Sequence, residues 1–302
     1  MRFLLIGDIH FRTNTPRSRN DDIVVAIKSK FAYIEQLISK EKADAVLCTG
    51  DIFDISKTTN EALLLAKEMF ESLKIPVYSI IGNHDMIGNS IENHERSSLN
   101  ILRMICSNFF ILDNSTNLIV DDVCITARHY GDHSYKVIPT NCDYNILISH
   151  TMVVDSPTMF ESIHVSDVLK ETDADFVLVG HNHKKFIDAG PNSLHSKSYV
   201  YNPGALIRLS IAEGDYDRDI EVGLIDTETK VFNRFNIPTN KNCFNLEEIE
   251  EREAILADAF VDSLNMSIEY IQPVENIVHR IMDEANVRES VRENMLKRLK
   301  KT

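Results

Sequence analysis

The chain of 302 residues contains no apolar run long enough to cross a bilayer. Its apolar N-terminal stretch, MRFLLIGDIH, breaks after FLLI at a glycine and an aspartate and has no small-residue cleavage site. Neither a membrane span nor a secretory leader is therefore expected, and the stretch reads as a first β-strand. The five cysteines (Cys48, Cys106, Cys124, Cys142, Cys243) are odd in number and lack CxxC spacing. They offer no disulfide framework and fit a chain kept in the reducing cytoplasm. Basic residues are scarce, 32 Lys and Arg against 46 Asp and Glu, for a net charge of −14. That deficit argues against an independent module with strong nucleic-acid binding, because duplex affinity rests on phosphate neutralisation. Bound metals would offset part of the carboxylate charge, so a DNA substrate requires a local basic patch or a basic partner. No internal repeat or low-complexity segment is present. What remains, 43% hydrophobic and 26% charged residues, is ordinary for a globular protein with one large domain or a main domain plus a small appendage.

Five apolar runs, RFLLIG, AVLCTG, PVYSIIG, YNILIS and DFVLVG, read as strands. Asp21 or Asp22 can cap a helix to about Lys40, with Ile23, Ile27, Phe31, Ile34 and Ile38 on one face. Further helices are expected over Thr59 to Leu73 and about Arg96 to Cys106. This alternation implies parallel βαβ units. From Phe109 the strands crowd together (FFIL, NLIVDDVCITA, YNILIS, DFVLVG, YVYN), and DIEVGLIDTETKVFNRFNI reads as a hairpin. The expected fold is α/β, a sandwich of two mixed β-sheets flanked by helices. Residues 1–237 form this domain, 238–246 a linker, and 247–302 a helical C-terminal segment. The last part, VRESVRENMLKRLKKT, supports two readings: cations favoured by the helix dipole, or a partner-binding face of Val287, Val291, Met295 and Leu299.

Each of the five runs delivers metal-ligand candidates at its end: Asp8 and His10 in GDIH, Asp51 in GDIFD, Asn83 in GNHD, His150 in ISH, and His181 and His183 in GHNH. In an open parallel sheet, side chains distant in sequence converge beyond the carboxyl ends of the strands. Hydrolysis of a phosphate ester needs charge neutralisation, a hydroxide near neutral pH and a proton for the leaving group; two metals supply the first two. Asp51 is the candidate bridge, with Asp8, His10 and His183 completing one site and Asn83, His150 and His181 the other. Oxygen and imidazole donors without thiolate suit manganese, iron or zinc over calcium. His84, beside Asn83, is the candidate general acid, with Asp54 as the carboxylate that fixes its tautomer and Asp85 as a supporting carboxylate. Glycines 7, 50, 82 and 180 are expected to let the backbone turn sharply at the ligands. Arg12, Arg17 and Arg19 read either as phosphate contacts or as solvated arginines. His94, His129, His133, His164, His195 and His279 are expected at the surface, with His129 and His133 alternatively lining a substrate groove.

The ordered series DxH, GDxxD, GNHD, H and GHxH resembles the calcineurin-like metallophosphoesterase superfamily over roughly residues 1 to 237. The resemblance implies the four-layer sandwich, the two-metal assignments above, His84 as catalytic histidine and Asp54 as its orienting carboxylate. Within the superfamily, MRFLLIGDIH, DAVLCTGDIFD, IPVYSIIGNHD and YVYNPGALIRLS are similar to the SbcD nucleases and their phage recombination-endonuclease counterparts. That similarity implies a manganese-dependent DNA exo- and endonuclease working with an SbcC-like ATPase in repair, recombination or degradation. It also implies a homodimer surface on the helices around Leu63 to Leu73 and Leu99 to Ile105, whose apolar faces burial within one chain explains equally well. Two features depart from the pattern: only about sixty residues follow the core, so a DNA cap is reduced or absent, and HFRTNTPRSRN replaces the usual HLG-type turn. Competing functions are a phosphodiesterase or phosphatase for nucleotides and other small molecules, and a noncatalytic adaptor.

Overall fold

The computed structural model describes residues 1–158, 160–191, 197–209 and 217–244, and beyond these Met282, Arg292, Glu293 and Lys297. The expected helical segment 247–302 otherwise lies outside the described residues. The chain divides into two compact units, one of residues 1–15, 22–209 and 217–240, the other of 16–21, 210–216 and 241–302.

The described residues of the first unit form fourteen strands. One six-stranded sheet contains β1 (Arg2–Ile6), β2 (Ala45–Cys48), β3 (Val77–Ser79) and β4 (Phe109–Ile111), all parallel, and is extended beside β1 by two antiparallel strands, β13 (Ile220–Asp226) and β14 (Val231–Ile237). The second sheet runs β11-β12-β10-β7-β6-β5, from β5 (Asn117–Val120), β6 (Val123–Arg128), β7 (Tyr144–His150), β10 (Phe176–Gly180), β11 (Phe186–Gly190) and β12 (Ser198–Asn202). Its β6, β7, β10 and β12 are parallel, whereas β5 and β11 pair antiparallel at the edges. Short strands β8 (Val153–Val154) and β9 (Ile163–His164) pair separately. The expected single run NLIVDDVCITA is instead the β5–β6 hairpin, because Asp121 adopts a left-handed conformation (φ 51°) that turns the chain.

Strand alternation produces the layers. On β1, Leu4 and Ile6 pack into an outer cluster with Ile23, Ile27, Phe31, Ile34 and Ile38 of α1 (Ile23–Glu41). Phe3 and Leu5 point the other way, into a core shared with Ile125, Ile146, Ile148, Phe176 and Leu178 of the second sheet. The far face of that sheet, through Leu147, Val177 and Val179, packs on Val165, Val168 and Leu169 of α4 (Val165–Glu171). The central strands are buried on both faces, which is why they read as continuous apolar runs. The helices start where local chemistry dictates. Asp22 accepts N–H bonds from Val24 and Val25 to open α1, Thr59 accepts one from Ala62 before α2 (Asn60–Ser72), and Ser97 accepts one from Asn100 before α3 (Ser98–Ile105). No described helix is long and apolar enough to cross a membrane.

Candidate metal centre

The parallel strands β1, β2 and β3 of one sheet and β7 and β10 of the other end on the same side, so their loops meet. Burial anchors two of these loops: Phe11 and Phe53 pair through a parallel bridge, and Phe11 lies 5.4 Å from Phe31 and 5.5 Å from Phe70 between ring centroids. Both are fully buried, each contributing about 1.5–3 kcal/mol. The backbone of Ile9 and His10 donates to the Asp51 carbonyl at 3.1 and 2.9 Å, locking the two loops together.

All seven residues expected from the five motifs converge here. Asp8, His10 and His183 present ligand atoms within 4.8 Å of one another, as do Asp51, His150 and His181, and as do His10, Asp51 and His84. His10 Nε2 faces His183 Nε2 at 3.0 Å, and Asn83 Oδ1 lies 2.8 Å from His181 Nδ1 and 3.1 Å from His150 Nε2. Asp51 stands between the two groups, its Oδ2 3.4 Å from His150 Nε2 and 3.9 Å from His10 Nε2, while its Oδ1 accepts the His84 N–H at 2.8 Å.

Strain and clearance mark the same loops. His10, Asp51 and His181 all have positive φ (55°, 47° and 79°), a conformation that costs on the order of 1–3 kcal/mol for a non-glycine residue and concentrates at functional sites. Of the four glycines expected to turn sharply, only Gly50 has positive φ (93°). Gly82 and Gly180 serve close approach instead: a Cβ at Gly82 would stand 2.1 Å from Asp51 Oδ1, and one at Gly180 2.6 Å from Asp8 Oδ1.

The electrostatics follow from burial and from what each group faces. Burial pushes His10 down to about 3 and His181 down to about 4, leaving neutral imidazoles with lone pairs. Burial also opposes charge on His150, yet the Asp51 and Asp8 carboxylates and the Thr49 carbonyl push it up to about 10. Burial raises Asp8, whereas the surrounding imidazoles outweigh burial at Asp51 and hold it below the usual carboxylate range. Cys48, at the end of β2, is pushed up by burial and stays a thiol. Among the described residues, His10 Nδ1 is buried without a hydrogen-bond partner. Two clusters of carboxylate, carboxamide and imidazole donors with no thiolate fit a pair of divalent cations of the manganese, iron or zinc type, and a cation at His150 would replace the proton on its Nε2.

Several supporting residues differ from expectation. The carboxylate of Asp54 accepts from Arg12 Nη1 at 3.0 Å rather than from His84, and it is the Asp54 backbone carbonyl that lies 2.6 Å from His84 Nδ1. Asp85 is fully buried and accepts N–H bonds from Gly82, Ile52 and Phe53, so it ties the loop after β2 to the turn after β3; burial, with Asp51 nearby, raises it to about 7. Arg12 is committed to Asp54 and the Asn14 carbonyl. Arg19 is buried in a two-pronged bond to Asp21, with its guanidinium 5.4 Å from the Phe244 ring centroid, and is no solvated hook; Arg17 is exposed. His129, expected at the surface, is buried, and its Nδ1 accepts the Ile81 N–H. His133 is exposed.

Two residues that no motif flagged contribute directly. Thr49 donates its hydroxyl to Asp8 Oδ1 at 2.6 Å, and its carbonyl lies 2.7 Å from His150 Nδ1. A carbonyl only accepts, so Nδ1 carries the proton and Nε2 faces the centre. Tyr130 packs its ring 5.5 Å from His181 and 6.1 Å from His150. Thr49 was the more findable of the two, as the residue before GD at a strand end.

Comparison with known proteins bears on the same loops. The SbcD subunit of the nuclease SbcCD of Staphylococcus epidermidis is 23% identical over 256 residues, covering 74% of this chain and 64% of that protein. DNA double-strand break repair protein Mre11 of Methanosarcina acetivorans is 24% identical over 282 residues, 90% of this chain and 44% of that one. A probable glycerophosphodiester phosphodiesterase of Arcobacter nitrofigilis is 32% identical over 131 residues, 42% of this chain and 45% of that one. The chain thus spans less than two thirds of the length of each. The calcineurin-like phosphoesterases, whose fold is this sandwich and whose centre is binuclear, match residues 1–185. Because that match contains every strand and loop that brings the seven side chains together, the chain belongs to the calcineurin-like phosphoesterase family.

Proposed function

We propose that the protein is a two-metal phosphodiester hydrolase that cuts DNA as an SbcD-type nuclease subunit, with manganese in its centre and an SbcC-like ATPase as partner. The observation that carries the two-metal reading is the position of Asp51 Oδ2 between His10 and His150. Asp8, His10 and His183 would hold one ion and Asn83, His150 and His181 the other, with Asp51 placed to serve both. The chemistry such a pair would supply is charge neutralisation at the nonbridging oxygens and a hydroxide near neutral pH. His84 protonates the leaving oxygen. Its Nδ1–H is fixed by the Asp54 carbonyl, so Nε2 is the atom that delivers the proton, and its exposed ring is open to substrate. Arg12 neutralises the Asp54 carboxylate and steadies the loop that orients His84. The DNA reading is supported by the SbcD and Mre11 relatives. Residues 1–237 are the catalytic domain, 238–246 the linker, and 247–302 the segment that meets the ATPase. Leu64 of α2 and Ile101, Met104 and Ile105 of α3 are exposed apolar side chains suited to a homodimer contact.

A second reading, hydrolysis of small diesters, is favoured by the net charge of −14 and the glycerophosphodiesterase relative. The test is hydrolysis by manganese-loaded protein of end-labelled DNA beside a glycerophosphodiester, with His84→Ala as control. Cutting of DNA that disappears in the variant supports the nuclease. Turnover of the glycerophosphodiester alone, with DNA intact even when the ATPase is added, supports the second reading and overturns the first.

A further inference from the structure

The loop that follows β6 is fixed more tightly than a surface connection requires. Ile81, two residues before Asn83, donates its N–H to His129 Nδ1 at 3.2 Å and accepts the Tyr130 N–H at 3.0 Å. Asn114 closes the other side: its Oδ1 accepts the His129 N–H at 2.8 Å and its Nδ2 donates to Asp132 at 2.9 Å. Asp132 donates its own N–H back to the His129 carbonyl, and Gly131 takes φ 92° to allow the turn. The loop thus presents one ring to the metal centre. Tyr130 rests on His181 and His150, remains half-buried, and its hydroxyl has no hydrogen-bond partner among the described residues. His84 stands on the opposite half, 4.9 Å from the His10 ring. His84 and Tyr130 thus stand beside different ligand candidates, so the Tyr130 ring can meet a part of the substrate other than the leaving group that His84 serves.

Resting on the phosphodiesterase reading above, we propose that Tyr130 determines substrate class: its ring stacks on the nucleobase of the nucleoside retained on the scissile phosphate. A held aromatic ring suits this role, because every base offers a π-face and the loop bears no ordering cost on binding.

The test compares thymidine 5′-(p-nitrophenyl phosphate) with methyl p-nitrophenyl phosphate, which share a leaving group and differ only in the nucleoside. Tyr130→Ala is expected to lower the ratio of kcat/KM for the nucleoside ester to that for the methyl ester by about tenfold, the size of one base–aromatic stack, through KM. Tyr130→Phe should hold the ratio within about twofold. Equal losses on both esters would reveal a merely structural residue and overturn the proposal, as would an unchanged ratio. A readout independent of turnover comes from Tyr130→Trp, since the chain contains no tryptophan. Its fluorescence should be quenched saturably by thymidine 5′-monophosphate and not by ribose 5-phosphate; indifference to both overturns the proposal. If wild-type protein hydrolyses neither ester, the phosphodiesterase reading fails, and the fluorescence alone still decides for or against stacking at Tyr130.

Discussion

The two ends of the central strands handle charge in opposite ways. At the amino ends, Arg2 binds Asp226 through Nε at 3.0 Å and the Glu41 carbonyl through Nη1, and its backbone N–H meets Asp44. That end is partly exposed, and the charges there are paired. At the carboxyl ends, Asp8, Asp51 and Asp85 are each at most 1% exposed, and among the described residues no lysine or arginine pairs with any of them. Buried carboxylates offset by the charged His150 imidazole rather than by lysine or arginine cost folding energy. The same fold thus pairs charges with arginine at one edge and gathers three carboxylates among imidazoles, with no arginine or lysine partner among the described residues, where the candidate ligands lie. The difference locates function without any motif.

The contrast is lost most completely by a change at Asp51. Asp51→Asn should abolish metal occupancy in both half-sites, together with turnover, and should remove the rise in Tm expected of the wild type with manganese; metal analysis and thermal melts read this out. His84→Ala should keep both ions and the Tm shift while lowering turnover by roughly 10²–10⁴-fold, so equal metal loss in the two variants would contradict the assignment of His84 as acid. Thr49→Val, which removes the hydroxyl on Asp8, should weaken metal binding by roughly 10–100-fold in a titration.

Smaller effects separate the two ends more finely. His129 is held at about 4 against an ordinary value of about 6.5, because burial disfavours its charged form. The folded state therefore binds fewer protons than the unfolded state between these values. The contribution of His129 to stability is complete above pH 6.5 and falls as pH drops through that window, by about 1.4 kcal/mol per unit. His129→Gln should flatten this acid limb in denaturant titrations at pH 4.5 to 6.5. At the amino ends, Arg2→Ala should cost about 0–1 kcal/mol of stability, since the Arg2 side chain is 43% exposed, and should leave metal binding unchanged.

The features legible in the sequence were those with a periodic or positional signal. Strand runs ending in GD, GNHD, ISH and GHNH located the seven converging residues because a parallel sheet brings its carboxyl ends together, and alternating residues on β1 separated the two faces of its sheet. Features decided by backbone geometry were not legible. The Asp54 carbonyl, rather than its carboxylate, meets His84 because Arg12 claims the carboxylate. The Asp121 turn split an apparently single strand, since aspartate tolerates a left-handed conformation that no run of hydrophobicity records. His129 and Tyr130 sit in an ordinary polar loop, ARHYGDHS, and only their bonds to Ile81 reveal one as buried and the other as aimed at the centre. Asp85 looked like a helper of the ligands, yet three backbone N–H groups make it the tie between two loops.

Everything proposed for this centre depends on one carboxylate, Asp51, being shared by two cations. Anomalous diffraction from crystals soaked in manganese decides the matter. Two peaks about 3.5–4 Å apart are expected with the Asp51 carboxylate between them, one peak against Asp8, His10 and His183 and the other against Asn83, His150 and His181. A single peak, or two peaks that do not share Asp51, would contradict the shared-carboxylate centre.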